Sequence, residues 1–181
     1  MKRYLSIISL AAVLAFATLA NADNFVSNGG GLIYDQNQNI TWYDFVETSG
    51  MNWYEATNWV QSLTIGGVSG WRLPTISPMN EMNNLYYELG NYYGQATVNI
   101  APFSNLIEES YWTSTEVDAT LSYIYNFNLA QVHAADKLYS SRNVIAVHDG
   151  NISAAVPEPT TLLLLSIGFL GLAGARRKFT N

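Results

Sequence analysis

The groups in this 181-residue chain that can do chemistry are mostly carboxylates and tyrosines, and they are scattered. Glu108-Glu109 and Glu116-x-Asp118 are the closest-set acids. Oxygen donors of this kind can ligate calcium, and two held at a suitable separation can hydrolyse a glycosidic bond. No EF-hand run of alternating acids accompanies them, so a solvated acidic face is the simpler expectation. His133 and His148 lack the ligand spacing of a zinc site. The chain has no cysteine, which excludes thiol nucleophiles, thiol redox chemistry and thiolate metal sites. Ser69 in Gly66-Gly67-Val68-Ser69-Gly70 sits one position away from a nucleophile elbow, and Gly29-Gly30-Gly31 lacks the third glycine spacing of a dinucleotide loop. The expectation is therefore no catalytic residue, no metal site and no cofactor, with calcium the one cation the acidic pairs could take.

Aromatic residues offer binding chemistry instead. Tyr86-Tyr87 and Tyr92-Tyr93 flank the start of a long loop, and four tyrosines cannot all face one core. Rings with hydroxyl tips suit neutral sugars or protein partners, so these four are the candidate ligand-binding residues; packing beneath the loop is the competing reading. Trp42, Trp53, Trp71 and Trp112 lie in fold-defining patches and are expected in the core. Arg72 can meet an acidic ligand, but tying the loop before Pro74 to a carboxylate or to backbone carbonyls is the better use of its fork of donors.

Charge narrows the partners. Of 14 acidic and 8 basic residues, five of the basic ones (Lys2, Arg3, Arg176, Arg177, Lys178) and Glu158 lie in the terminal segments. The middle keeps 13 acids against Arg72, Lys137 and Arg142, a net charge of −10. Such a domain repels nucleic acid and polyanionic glycans, and is compatible with neutral polysaccharides, cationic partners or calcium.

The elements that must position these groups read as α+β. Gly31–Asp35 and Ile40–Tyr43, joined by Gln36-Asn37-Gln38-Asn39, predict a hairpin, and further strands are expected around Tyr111–Thr115, Tyr123–Asn128 and Asn143–His148. Asn52-Trp-Tyr-Glu55 predicts a capped helix with Trp53, Ala56, Val60 and Leu63 on its apolar face. A second helix is predicted from Ser77-Pro78 to Gly90, its apolar side made of Met79, Met82, Leu85, Tyr86 and Leu89. Asn91 to Ser110 reads as a long loop.

The ends read as addresses. Lys2-Arg3, the apolar run Tyr4–Leu19 and Ala20-Asn21-Ala22 make a signal peptide over residues 1–22 with its peptidase site at Ala20 and Ala22. A retained membrane helix is the competing reading, which the short run and the cleavage site disfavour. At the other end Pro157-Glu158-Pro159 precedes an uncharged Leu- and Gly-rich run, Thr160–Ala175, closed by Arg176-Arg177-Lys178. The run is just under the roughly 17–25 residues of a spanning helix, and its basic end favours the cytoplasmic side. Residues 154–181 resemble the PEP-CTERM sorting signal of Gram-negative bacteria. The resemblance implies a temporary inner-membrane anchor, processing by an exosortase, and delivery to the cell surface or a biofilm matrix alongside exopolysaccharide.

The intervening residues 23–153 also carry a resemblance. GLIYDQNQNITW, MNWYEATNWVQSL, GWRLPT and SYWTSTE, extended by the run Ile124–Gly150, are similar to the extracytoplasmic family named after the C-terminal domain of a collagen-like adhesin, Lcl. That resemblance implies a C-type-lectin-like fold, two helices beside a small irregular antiparallel sheet, and a role in adhesion or glycan contact. The sequence departs from the family in lacking its cysteine pair and in having His148 where arginine is common. It also lacks the Glu-Pro-Asn type triplets of calcium-dependent sugar lectins, and the cysteine that serves catalysis in the formylglycine-generating relatives. The functional expectation is a non-enzymatic surface or matrix protein binding exopolysaccharide or other surface glycans, with a module for adhesion to surface proteins as the alternative and a glycan-active enzyme ranked below both.

Overall fold

The computed structural model describes residues 24–92 and 100–154. Seven strands and two helices follow one another as β1 (Phe25–Ser27), β2 (Leu32–Asp35), β3 (Ile40–Met51), α1 (Trp53–Ser62), α2 (Glu81–Glu88), β4 (Ser110–Glu116), β5 (Leu121–Asn126), β6 (Gln131–Asp136) and β7 (Arg142–Asp149). They form two helices beside one sheet of order β1-β2-β3-β7-β4-β5-β6.

The sheet is mixed, where a small antiparallel one was expected. Strand β7 pairs antiparallel with β3 but parallel with β4, and the parallel ladder holds only at Tyr111–Asn143. The chain around Arg72 replaces the missing ladder. Arg72 exchanges both backbone hydrogen bonds with Val147 of β7, at 2.9 Å each, and the Ser114 amide of β4 donates to the Pro74 carbonyl at 2.8 Å. A sequence pattern shows strands but not which neighbour each will take, and this insertion is a long-range choice.

Strand β7 explains the layering. Val144-Ile145-Ala146-Val147 is wholly buried, the unbroken apolar run of a strand covered on both faces. Ile145 and Val147 join Trp42, Tyr111, Tyr125 and Phe127 with Met82, Leu85, Tyr86 and Leu89, the last four from α2 and its cap. Val144 and Ala146 point the other way, to Ala56 and Val60 of α1 with Trp71, Leu73 and Trp112. Trp42, Trp71 and Trp112 are thus core residues as expected, while Trp53 is only partly covered.

Helix α1 begins where its sequence predicts. The Asn52 side chain accepts from the Glu55 amide at 3.0 Å and the Glu55 carboxylate accepts from the Asn52 amide at 2.9 Å, closing a capping box. Replacing Asn52 with Ala removes one half of that reciprocal pair. The change should lower stability by about 1 kcal/mol in urea denaturation; a loss under a few tenths would mean that other contacts hold the helix start.

Helix α2 departs from its reading. Its cap is Asn80, whose side chain accepts from the Asn83 amide at 2.9 Å, and not Ser77. Met79 is half exposed instead of packed. The reason is Glu81: its amide donates to the Thr75 carbonyl and its carboxylate accepts from the Thr75 amide at 2.7 Å, so the 75–80 segment closes on the helix start as a loop. Two strands were not foreseen. β6 is an edge strand with Ala135 buried and Val132 partly buried against the core; β1 has three residues.

Candidate functional site

The expected ligand tyrosines differ in exposure. Tyr86 is fully buried, its ring edge-on to Phe127 at 5.3 Å, and its hydroxyl donates to the Tyr92 carbonyl. It packs in the core and does not offer its ring to solvent. Neighbouring helix positions are about 100° apart, so Tyr87 points outward and is 50% exposed, and Tyr92 is 73% exposed. Tyr93 lies outside the described residues.

The acids have structural occupations. Glu116 accepts from the Lys137 ammonium. The Asp118 carboxylate turns inward on its own loop, accepting from the Thr120 amide at 2.7 Å, the Thr120 hydroxyl at 2.9 Å and the Leu121 amide at 2.8 Å. Those backbone bonds, led by Thr120, hold its pKa below the ordinary value. Glu108 and Glu109 are exposed. Among the described residues no three His, Asp or Glu side chains come together as a metal-binding group.

Arg72 does the tying that its fork of donors suggested. Its two terminal nitrogens donate to the Glu81 carboxylate at 2.9 and 2.7 Å, Nη2 also reaches Asp149 at 2.5 Å, and Nη1 reaches the Leu73 carbonyl at 3.2 Å. His148 sits beside this junction, Nδ1 2.6 Å from the Asp149 carbonyl and Nε2 3.1 Å from the Ser69 carbonyl, its ring edge-on to Trp71. Gly70, at φ +92°, runs past this imidazole; a Cβ there would stand 3.6 Å from Nε2. Neither Arg72 nor His148 is free for a ligand.

Two further acids had no sequence signal. Asp44, nearly buried, accepts from the Ser104 amide and hydroxyl at 2.9 Å each and from the Asn105 amide at 3.1 Å, fastening the 100–109 segment to β3. Asp35 is fully buried and accepts from the Asn37 and Gln38 amides at 3.0 Å and the Gln38 side chain at 2.7 Å. Their partners are distant or lie in turns, which periodicity does not report.

Two clefts among the described residues could take a small ligand. A polar cleft of about 190 Å³ is lined by Gly50, Glu109, Ser110, Ser141, Arg142 and Asn143. A second, of about 180 Å³, lies between the start of α1 and the loops β4–β5 and β6–β7, with Tyr54 and Tyr139 on its walls. Both tyrosines are exposed, Tyr139 at 86%. Neither was singled out in the sequence; an aromatic in the polar turn Asp136–Ser141 was the one available sign.

Residues 31–148 match the family model described as the Lcl C-terminal domain, and residues 155–178 match the PEP-CTERM protein-sorting motif. No curated protein matches the chain. Among solved structures it is similar to the snake venom toxin convulxin, at 10% identity over 71% of this chain and 97% of that one, with a TM-score of 0.37. The sorting motif implies export, a membrane-anchored intermediate and processing by an exosortase. No helix among the described residues is long and apolar enough to cross a membrane, and the run Thr160–Ala175 lies outside them. With its matched segment spanning most of the sequence, the chain belongs to the Lcl C-terminal domain family.

Proposed function

We propose that this is a non-enzymatic surface or extracellular-matrix protein that contacts neutral glycan, exopolysaccharide above all. In this reading residues 1–22 are removed at Ala22, residues 23–153 are the binding domain, and residues 154–181 hold it in the inner membrane until an exosortase acts. We read the two helices and mixed sheet as a C-type-lectin-like arrangement. The observation that carries the proposal is the pairing of a sorting motif with a domain whose most exposed large side chains include Tyr54, Tyr87, Tyr92 and Tyr139. Tyrosine gives broad contact area at low entropic cost and has a polar tip, which suits sugars. The net acidity of the domain directs it away from anionic polymers.

The test uses the full-length chain in a detergent without a sugar headgroup, and measures retention on extracellular polysaccharide of the producing organism with and without calcium. Saturable retention is expected, and calcium dependence would give the acidic loops a part in it. No retention in either condition would leave protein–protein adhesion as the role. Sugar release that disappears in Glu109→Gln or Glu116→Gln would instead make the protein an enzyme.

A further inference from the structure

Three segments that are remote in sequence meet at one lysine. Lys137 follows β6 and is only 2% exposed, yet its ammonium donates to the Glu116 carboxylate and to the Asp118 carbonyl at 2.6 Å. The same ammonium lies 4.9 Å from the centre of the Trp53 ring, within the range of a cation–π contact. Its backbone completes the junction: the Lys137 amide donates to the Thr120 carbonyl at 2.9 Å, and the Trp53 amide donates to the Lys137 carbonyl at 2.9 Å. The first turn of α1, the β4–β5 loop and the β6–β7 turn are therefore held in one arrangement from below.

Above that junction is the cleft of about 180 Å³. Tyr54, fixed edge-on against Trp53 at 5.3 Å, stands on the helix side. Tyr139 stands on the turn side, its amide bonded to Asp136 Oδ1 at 2.9 Å. Asp136 Oδ1 also accepts from the Leu138 amide at 2.8 Å, which leaves Oδ2 without a protein partner among the described residues. The Tyr54 and Tyr139 hydroxyls likewise have none there, and Thr120 also lines the cleft, its hydroxyl donating to Asp118 and so open to a ligand as an acceptor. Apolar ring faces with a few converging polar groups on a rigid base make a binding site.

We infer that this cleft between Tyr54 and Tyr139 binds a single hexose unit of a neutral glycan, with a ring face against the C–H face of the sugar and Asp136 and Thr120 meeting its hydroxyls. Size and charge choose the ligand. The space is smaller than the roughly 300–1,000 Å³ of drug-sized pockets, so it takes one ring of a chain and not a helix or a folded partner. Asp136 lines it, Glu116 and Asp118 meet the buried Lys137 beneath it, and Glu55 follows Tyr54 in α1; a sulfated or uronate sugar would enter a negative field. Tyr54 and Tyr139 share a concavity although they lie on different elements.

The inference rests on the glycan reading above, and its test separates the two. The full-length chain, in the same detergent, is titrated with neutral hexa-oligosaccharides of glucose, of mannose and of galactose, and with the organism's polysaccharide, with polygalacturonate as the anionic control. Binding is followed by calorimetry and by the summed tryptophan fluorescence, to which Trp53, edge-on to Tyr54, contributes. Tyr54→Ala and Tyr139→Ala should each weaken neutral-glycan binding at least tenfold with an unchanged far-ultraviolet circular dichroism spectrum, and Tyr87→Ala and Tyr92→Ala by less than twofold. Tyr139 is exposed enough that its loss leaves the fold intact. Wild-type binding that survives both Tyr54→Ala and Tyr139→Ala would overturn the cleft while leaving the glycan reading in place. No binding of any neutral glycan by the wild type would overturn both, and preference for polygalacturonate would overturn the charge argument on which the ligand class rests.

Discussion

Arg72→Met should cost about 3–5 kcal/mol of folding stability, the range for breaking a buried ion pair by removing one partner. Glu81 is only 6% exposed, and after the substitution its carboxylate would keep only the Thr75 amide as a donor. Two fork-to-fork bonds would be lost from it, together with the tie from the 72–75 segment to the end of β7 through Asp149. Asp149 contributes little of this, because its side chain is 77% exposed and water can replace the guanidinium. Lysine is a poor substitute, since one ammonium cannot reproduce two parallel bonds. The double change Arg72→Met/Glu81→Gln should recover a large part of the loss by removing the stranded charge. Urea denaturation of the three variants checks this; a single-variant loss below 1 kcal/mol, or no recovery in the double, would mean that the pair is structurally incidental.

This junction also marks how far the sequence could be read. What local contacts decide was legible: the capping box of Asn52 and Glu55, the β2–β3 hairpin closed by four polar residues, and the buried tryptophans of the WRLPT and YWTST patches. What distant partners decide was not. The start of α2 moved from Ser77 to Asn80 because Glu81 answers to Arg72 and Thr75. Strand β6 was overlooked because His133-Ala134-Ala135 has no alternation, and its place in the sheet comes from β5 alone.

The candidate site shows the same division. Tyrosine was the right residue type to weigh for an acidic exported domain, and the doublet Tyr86-Tyr87 was the visible cluster. Helical geometry then sends one ring of that doublet inward and the other outward. Tyr54 and Tyr139 are 85 positions apart, and only the convergence of three segments on Lys137 brings them to one cleft. A buried lysine that organises a surface has no periodic signature, since its partners are a carboxylate, a carbonyl and an indole from three different elements.

A second large effect is expected from pH. Glu88 ends α2, where the helix dipole already disfavours a negative charge. Burial raises its pKa from the ordinary glutamate value to about 7, the Asp35 charge adds to the rise, and a hydrogen bond with Asn37 opposes it. One of its carboxyl oxygens is buried without a hydrogen-bond partner among the described residues, which costs most when the group is ionised. The folded state therefore holds a proton on Glu88 that the unfolded chain has released, so stability should fall as pH rises from about 4.5 to about 7 and then level off. Acting in full the shift would amount to roughly 3 kcal/mol, but water reaches this partly covered group, and about 1–2 kcal/mol is expected. Glu88→Gln fixes the neutral form: it should match the wild type near pH 5, exceed it by that amount at pH 8, and lose the intervening slope. Every other ionisable side chain is common to the two proteins, so the difference between the two curves isolates Glu88. Denaturation curves that run parallel for wild type and Glu88→Gln from pH 5 to 8 would show that the Glu88 carboxyl ionises freely in the folded protein.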